Sequence, residues 1–559
     1  MTTYYVRGSG AAVSLTDKDF VAKGGEKSVY AKGPTAYCVY HDPAHAISPA
    51  KISELAVLTL PEIIKPVSEL LDVKKRHCGE TMPFVTDSFA PADSSIRPLV
   101  LCQLFTNAFR RKNGVTNDHV VKVTDAILHL TAHCHSKGVV MVDPNETNWL
   151  VKPTLDGVYL IDTSCFQTAS FPGTAIKPAI RDWNAKAFAR ESDWFSMAVV
   201  LGWLWAGIHP YIAHHPEWQH LDSNAAMEPR MRKHVSFFDP ATQFNRACRP
   251  LAEIPSALSG WLRAVLQDGK RVAPPSACGA SVSIILPAIT APASVAGITL
   301  TKIGDYDADI VGVYGDIVIT AGAQSKTIIV RTPVKAIPIA AAEHNRTLHL
   351  EDWKTKAAIP ITVSADSVLE SEGRIYAVSG GVVNEVVFNE LASGVRATVK
   401  HVGSIADLPS TRVFPGCIVQ NLLGRYLLSV FPESGKCQQH QLRELEGWQI
   451  LGAKYERGVF VAMVEQSGTY RHWLYRFSGD KQDSQQIGDQ FGDVNFCVTE
   501  RGACVIMEPN GTLRITMNTP GNHSLKRIAC PLADGDLFSD GAAVLAAVGK
   551  TLYRLSLTK

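Results

Sequence analysis

The sequence predicts a multi-domain protein in which an α+β domain precedes an all-β domain. Its 559 residues are too many for one ordinary core and suggest roughly two to four domains. Before about residue 276, a few short strands mix with long helical stretches such as 118–137. After Pro274-Pro275 and a Pro/Ala/Ser-rich stretch at 287–295, nearly every segment is typical of a short strand followed by a Gly, Asn or Asp turn.

We place the α+β domain at 1–280, a linker at 281–298 and the all-β domain at 299–559. Lys and Arg together number 55 and Asp and Glu 53, so no charge excess favours nucleic acid or a membrane as a partner. Twelve Cys without paired CxxC spacing favour reduced thiols. The N-terminus lacks the pattern of a secretory signal, and the most apolar stretch, 197–208, is shorter than the ~20 residues that span a bilayer. We therefore expect a soluble, cytoplasmic protein.

Within the all-β domain, similar strand-turn-strand phrases recur, each opening on a glycine. They begin at Gly373, Gly424, Gly458, Gly502 and Gly541. Their spacing is irregular but near the ~40–45 residues of a four-stranded propeller blade. This rhythm predicts a β-propeller of about six blades that binds a protein partner, with a pair of β-sandwiches as the alternative.

The α+β domain contains two apolar strands with acidic or amide residues near their ends. Asp143 and Asp162 each follow an apolar strand, and Asn148 comes five residues after Asp143. Phosphoryl transfer from ATP needs Mg²⁺ held by oxygen ligands, which Asn148 and Asp162 supply. It also needs a group that orients the acceptor hydroxyl and takes its proton, which suits Asp143. These residue types predict a magnesium-ATP site.

The order and spacing of these residues resemble those of protein kinases. The closest resemblance is to a bacterial kinase branch with the motifs G-G-E-G-x-V-Y, G-D-x-N-x-x-N and I-D-x-D-S-F-Q. The corresponding segments here are Gly24-Gly-Glu-Lys-Ser-Val-Tyr30, 142–148 and 161–167. The resemblance covers residues 20–275 and implies a bilobal fold, with an N-lobe at about 12–90 and a C-lobe at about 91–280. It also implies that Asp193 begins a buried helix and binds the backbone of the catalytic loop.

In protein kinases a strand lysine binds the phosphates, but Cys38 occupies that position here. Side chains alternate along a strand, so Lys27 shares a face with Val29, whereas Lys32 has the opposite parity. This arrangement resembles that of the with-no-lysine kinases, in which the phosphate-binding lysine lies in the glycine loop and a cysteine occupies the strand position. The resemblance implies that Lys27 binds the phosphates, and that Gly24, Val29 and Ala36 complete the nucleotide pocket.

An acidic partner for Lys27 is expected on the helix that follows. Ser48-Pro49 is a typical helix start, and Glu54 lies in its first turns. We therefore assign Glu54 as the ion-pair partner of Lys27, with Glu62 as the second candidate.

Several parts of the kinase pattern are absent. No His-Arg pair precedes Asp143, and the position two residues after it holds Asn145 rather than lysine. No Ala-Pro-Glu segment precedes Asp193, so a platform for a peptide substrate cannot be located. The leading hypothesis is a Ser/Thr-type protein kinase. A nucleotide-binding pseudokinase scaffold and a small-molecule phosphotransferase are the alternatives.

Overall fold

A computed structural model describes most of the chain. The described residues are 2–85, 99–174, 176–244, 247–281, 294–295, 297–322, 326–406, 408–479, 481–523, 525–532 and 535–557. They fall into two compact units, the first holding nearly all described residues up to 281 and the second those from 294 onward. The predicted boundary between the two lobes, near residue 90, and most of the predicted linker lie outside the described residues.

The first unit combines antiparallel strands with helices. Its strands are β1 (Thr2–Val6), β2 (Ala12–Leu15), β3 (Phe20–Lys23), β4 (Lys27–Lys32), β5 (Thr35–Tyr40), β6 (Ser68–Leu71), β7 (His77–Pro83), β8 (Trp149–Val151) and β9 (Val158–Leu160). The helices before residue 281 are α1 (Pro49–Leu55), α2 (Asn107–Lys112), α3 (Asn117–Ser136), α4 (Arg190–Ala206), α5 (Ser223–Lys233) and α6 (Ser256–Leu266).

Seven of these strands form one antiparallel sheet in the order β2-β1-β6-β7-β5-β4-β3. The sheet extends beyond the predicted N-lobe, because β1 precedes residue 12 and pairs with both β2 and β6. The hairpin β8–β9 is separate and positions the residues on either side of it. Helix α4 is buried along almost its whole length, as its apolar sequence predicts.

Helix α4 ends in a Gly-Ile-His-Pro turn that buries a neutral histidine. Gly207 has φ +76° and its N–H bonds the Trp203 carbonyl, a helix end that suits glycine. The next polar residue, His209, is 1% exposed. Its Nε2 donates to the Ala179 carbonyl at 2.8 Å and its Nδ1 accepts from the Tyr211 N–H at 3.2 Å. Burial lowers the pKa of His209 to about 4, although the hydrogen bond to the Ala179 carbonyl opposes the fall.

Acid is therefore expected to destabilise the first unit through His209. The unfolded chain binds a proton below about pH 6.5 and the folded ring only near pH 4. The free energy of unfolding should thus fall by up to about 1.4 kcal/mol per pH unit between these values. The thermal midpoint should drop less from pH 7 to pH 5 in His209→Gln than in wild type. His214→Gln, which changes an exposed histidine, is the control, and equal drops in all three proteins would contradict this role.

The second unit consists of strands. They are β10 (Ser294–Val295), β11 (Ile298–Asp305), β12 (Ile310–Tyr314), β13 (Ile317–Thr320), β14 (Ile328–Arg331), β15 (Pro338–His344), β16 (Thr347–Asp352), β17 (Ser367–Ser371), β18 (Arg374–Ser379), β19 (Val382–Leu391), β20 (Gly394–Ser404), β21 (Thr411–Phe414), β22 (Cys417–Leu422), β23 (Arg425–Val430), β24 (Gln438–Gln441), β25 (Gln449–Glu456), β26 (Val459–Gln466), β27 (Thr469–Ser478), β28 (Lys481–Gly488), β29 (Phe496–Val498), β30 (Ala503–Met507), β31 (Thr512–Met517), β32 (Lys526–Ala529), β33 (Asp536–Asp540), β34 (Ala543–Val548) and β35 (Thr551–Leu557).

In the described part of the second unit these strands form seven antiparallel sheets: β12-β13, β14-β15-β16, β17 to β20, β21 to β24, β25 to β28, β29 to β32, and β10-β11-β35-β34-β33. The last sheet joins the two ends of the unit, because β11 pairs with β35. An apolar cluster lies between each sheet and the next along the chain. A further cluster lies between the last sheet and the β12-β13 sheet.

Candidate phosphoryl-transfer site

An apolar cluster forms one wall of the candidate site. Val29 on β4 and Ala36 and Cys38 on β5 belong to one cluster with residues of β7. The strand register places Val29 opposite Cys38, and residues two apart on a strand share a face. Ile161 packs against the same cluster and directly precedes Asp162. The two residues expected to cover adenine, Val29 and Ala36, therefore lie beside the segment that carries Asp162.

Lys27 projects into the site and contacts acidic residues there. Its Nζ lies 2.9 Å from Asp162 Oδ1, 3.2 Å from Glu80 Oε1 and 2.8 Å from Ser164 Oγ. Burial would lower the pKa of Lys27, but the charges of Asp162 and Glu80 outweigh it and raise the pKa well above its ordinary value. Gly24 is at the exposed β3–β4 turn, where its N–H donates to the Lys27 carbonyl at 2.9 Å.

The predicted ion pair between Lys27 and Glu54 is wrong. Glu54 accepts a hydrogen bond from the Ser170 N–H at 3.1 Å, so it holds the segment after Asp162 instead. The physical reason is the orientation of the short helix α1, whose buried positions are 51, 52 and 55. The second candidate, Glu62, lies 3.5 Å from the ammonium of Lys152.

Glu80 is the partner of Lys27 that sequence reasoning missed. It lies on β7 directly opposite Cys38 on β5, and its side chain is fully buried. Its Oε1 also accepts from the hydroxyls of Tyr40 at 3.3 Å and Ser164 at 3.2 Å. Oε2 is buried without a hydrogen-bond partner among the described residues. The available signal was a glutamate between Cys78 and Met82 in a segment of strand length, since a glutamate is rarely buried unless it is paired.

The loop before Asp143 is held in a strained conformation by Asp193. Val142 has φ +67°, which is rare for a β-branched residue and costs roughly 1–3 kcal/mol. Asp193 at the start of α4 accepts the N–H groups of Met141 at 2.7 Å and Val142 at 2.9 Å. Its side chain is fully buried and also lies 2.9 Å from His135 Nε2. These contacts fix the direction in which Asp143 leaves the loop.

Both carboxylate oxygens of Asp143 accept hydrogen bonds. Asn145 Nδ2 donates to Oδ2 at 2.9 Å, and the backbone N–H of Lys177 donates to Oδ1 at 3.2 Å. Burial raises the pKa of Asp143 to about 6, although the contacts with Lys177 and Asn145 oppose the rise. Asp143 is therefore ionised at neutral pH. Its pKa is also nearer to the working pH than that of an exposed carboxylate, which suits a general base.

Asn148 and Asp162 bring two oxygen ligands to one place. The Ile161 N–H donates to the Asn148 carbonyl at 2.9 Å across the β8–β9 hairpin, so Asp162 follows directly. Asn148 Nδ2 donates to the Asp143 carbonyl at 3.0 Å, which leaves its side-chain oxygen available to a ligand. The Asp162 side chain is 44% exposed, and Lys27 lowers its pKa.

These donors fit Mg²⁺, which prefers one or two carboxylates with further oxygens from phosphates and water. Among the described residues, no group of three or more His, Cys, Asp or Glu side chains could hold a metal ion. None of the described helices is long and apolar enough to span a membrane.

No protein-family model matches the sequence, and no curated protein matches it. Among solved structures, the chain is similar to the kinase PK-1 of Cydia pomonella granulovirus, with 12% identity and a TM-score of 0.31 over 44% of this chain and 88% of that one. It is also similar to ROP2 from Toxoplasma gondii, a virulence factor with a protein-kinase fold and no enzymatic activity. That match has 12% identity and a TM-score of 0.31 over 48% of this chain and 77% of that one. Both TM-scores are low, and no function for this chain follows from either similarity.

Proposed function

We propose that the first unit is an ATP-dependent Ser/Thr-type protein kinase. The observation that carries this proposal is the 2.9 Å ion pair between Lys27 and Asp162, beside the apolar cluster that contains Val29 and Ala36. A cation from the sheet and a carboxylate after β9 meet there, which is what a magnesium-nucleotide needs at its phosphates. Lys27 thus supplies the charge that Cys38 cannot. The Cys38 thiol is buried, and burial raises its pKa to about 12.

Each residue has a separate task in the transfer. Val29 and Ala36 cover the adenine, and Lys27 neutralises phosphate charge. Asp162 and Asn148 hold Mg²⁺, which shields the phosphates when bound. Asp143 accepts the proton of the acceptor hydroxyl while that oxygen forms a bond to the γ-phosphorus. The bond from the γ-phosphorus to the bridging oxygen breaks, and its electron pair leaves with ADP.

A nucleotide-binding scaffold without transfer activity is the second candidate. It is favoured by the hydrogen bonds that engage both oxygens of Asp143, because they occupy acceptor sites that an incoming hydroxyl would otherwise use. In this scaffold Asp143 would hold Asn145 and the Lys177 segment in place rather than take a proton.

Transfer of labelled γ-phosphate to the chain itself or to a generic protein substrate separates these candidates. The kinase proposal expects magnesium-dependent transfer in wild type, lost in Asp162→Asn, together with a rise in thermal midpoint on adding magnesium-ATP. A thermal shift without transfer would favour the scaffold. If millimolar magnesium-ATP does not shift the thermal midpoint, both the kinase and the scaffold proposals are wrong.

We further propose that the second unit is a β-propeller that binds a protein partner. Support comes from the seven clusters, each packed between two sheets, and from the pairing of β11 with β35. An edge strand from each of six of the seven described sheets, β12, β14, β17, β21, β25 and β33, also contributes to the lining of one cavity of about 900 Å³. If each of the seven described sheets is one blade, the propeller has seven blades. The glycine phrases in the sequence predicted about six. The small β12-β13 and β14-β15-β16 sheets lie before the first of those phrases.

A further inference from the structure

The acceptor side of the candidate site contains a lysine that the proposed mechanism does not use. Lys177 lies in the irregular segment between β9 and α4. Its Nζ is 3.1 Å from Thr147 Oγ1 and 3.5 Å from Glu146 Oε1, and its side chain is only 11% exposed. Its backbone N–H is the group that donates to Asp143 Oδ1. The ammonium is therefore held at the loop that presents the proposed base.

The charge of Lys177 acts on both sides of the transfer site. After Lys27, it is a further cation that lowers the pKa of Asp162, and it opposes the rise in the pKa of Asp143 that burial causes. Lys177 thus lies within electrostatic range of the proposed metal ligand and of the proposed base. In the proposed mechanism the phosphoryl group moves from a nucleotide held at Asp162 to a hydroxyl held at Asp143, so the charge of Lys177 acts on both ends of that transfer.

The negative charge of the transferring phosphoryl group favours a cation near Asp143 and Asp162. The transferring group carries negative charge on three oxygens, and carboxylates that face it without compensation raise the barrier. Lys27 contacts Asp162 on the nucleotide side, whereas the loop contributes Asp143, Glu146 and the neutral Asn145. Lys177 brings positive charge to the loop side.

A purely structural role for Lys177 predicts something different. Glu146 is 1% exposed, and a buried carboxylate needs a cationic partner. In that case Lys177 only neutralises Glu146 and attaches its segment to the loop. Removing either member of the pair would then have the same consequences.

We propose that Lys177 binds the γ-phosphoryl group during transfer and is a catalytic residue of this site, opposite Lys27. The inference rests on the proposed function. The ammonium gives up no proton in the step. It moves from Thr147 and Glu146 toward the phosphoryl oxygens and offsets their charge while the hydroxyl proton passes to Asp143.

The test compares Lys177→Met, Lys177→Arg and Glu146→Gln in the full chain. All three keep the backbone N–H that contacts Asp143. We expect Lys177→Met to lower kcat about 10²-fold and Lys177→Arg to recover part of the loss. Glu146→Gln keeps the ammonium, so it should keep kcat within about threefold even where loss of the buried pair lowers the thermal midpoint. Equal losses in Lys177→Met and Glu146→Gln, with parallel falls in thermal midpoint, would establish the structural role instead.

A binding measurement keeps this inference separate from the proposed function. ADP and the β,γ-imido analogue of ATP differ at the γ-position, so Lys177→Met should weaken the analogue about tenfold and leave ADP within twofold. This comparison decides the role of Lys177 even if wild type transfers no phosphate. An unchanged ratio of the two affinities would overturn the inference. If wild type binds neither nucleotide, the proposed function and this inference both fail.

Discussion

Asp143→Asn is expected to lower the rate of γ-phosphoryl transfer by about 10²–10⁴-fold and to leave the affinity for magnesium-ATP within twofold. The amide has nearly the shape of the carboxylate, and its oxygen still accepts the Lys177 N–H, although its NH2 group cannot accept the hydrogen bond from Asn145 Nδ2. It cannot take the proton of the acceptor hydroxyl. The expected loss is therefore in kcat, which single-turnover measurements at saturating ATP would isolate.

The same substitution should leave the thermal midpoint unchanged or raise it. Burial raises the pKa of Asp143 to about 6, so at pH 7 the folded protein holds a carboxylate whose charged form is disfavoured relative to the unfolded chain. Replacing it with a neutral amide removes that penalty. Loss of transfer together with gained stability is typical of a functional residue rather than a structural one.

Asp118→Asn is the matched control, because Asp118 is an exposed carboxylate in the first turn of α3. Its transfer rate should equal that of wild type. If Asp143→Asn keeps more than about a third of the wild-type rate, general-base catalysis by Asp143 is wrong. The transfer would then use a different group.

The sequence predicted best those parts of the site that depend on local periodicity. Because side chains alternate along a strand, the two-residue spacing was enough to predict that Lys27 and Val29 share a face of β4. The α+β character of the first unit and the strand-rich character of the second followed from periodicity and turn residues in the same way. The spacing of Asp143, Asn148 and Asp162 depends on one hairpin, β8–β9, that the apolar segments already indicated.

Contacts that depend on sheet order could not be predicted in this way. Glu80 reaches Lys27 because β7 pairs with β5 although α1 and β6 lie between them in the chain. The sequence favoured Glu54 because a helix follows β5, but nothing local revealed which face of that seven-residue helix is buried. Lys177 lies in an irregular segment, where no period relates sequence to position.

Lys27→Met is expected to reduce transfer by about 10²–10³-fold and also to destabilise the first unit. Without Lys27, the fully buried carboxylate of Glu80 loses its ion-pair partner. Breaking a buried pair by removing one member costs roughly 3–5 kcal/mol. The thermal transition that magnesium-ATP shifts should therefore occur at a lower temperature in the variant.

Lys32→Met provides the matched control on the same strand. Lys32 has the opposite parity, is exposed, and donates to the Ser14 carbonyl at 3.1 Å. Its removal should change neither transfer nor thermal midpoint by a measurable amount, because exposed contacts contribute little. A comparable loss in both variants would mean that a general loss of positive charge, not the position of Lys27, reduces activity.

Adding Glu80→Gln to Lys27→Met separates stability from catalysis. The double variant no longer buries an unpaired charge, so its thermal midpoint should return most of the way to that of wild type. Transfer should stay as low as in Lys27→Met, because no cation reaches the nucleotide phosphates from the sheet. Recovery of transfer together with stability would show that Lys27 only compensates Glu80. Transfer within threefold of wild type in Lys27→Met alone would exclude the relocated lysine, since the phosphates would then be neutralised without it.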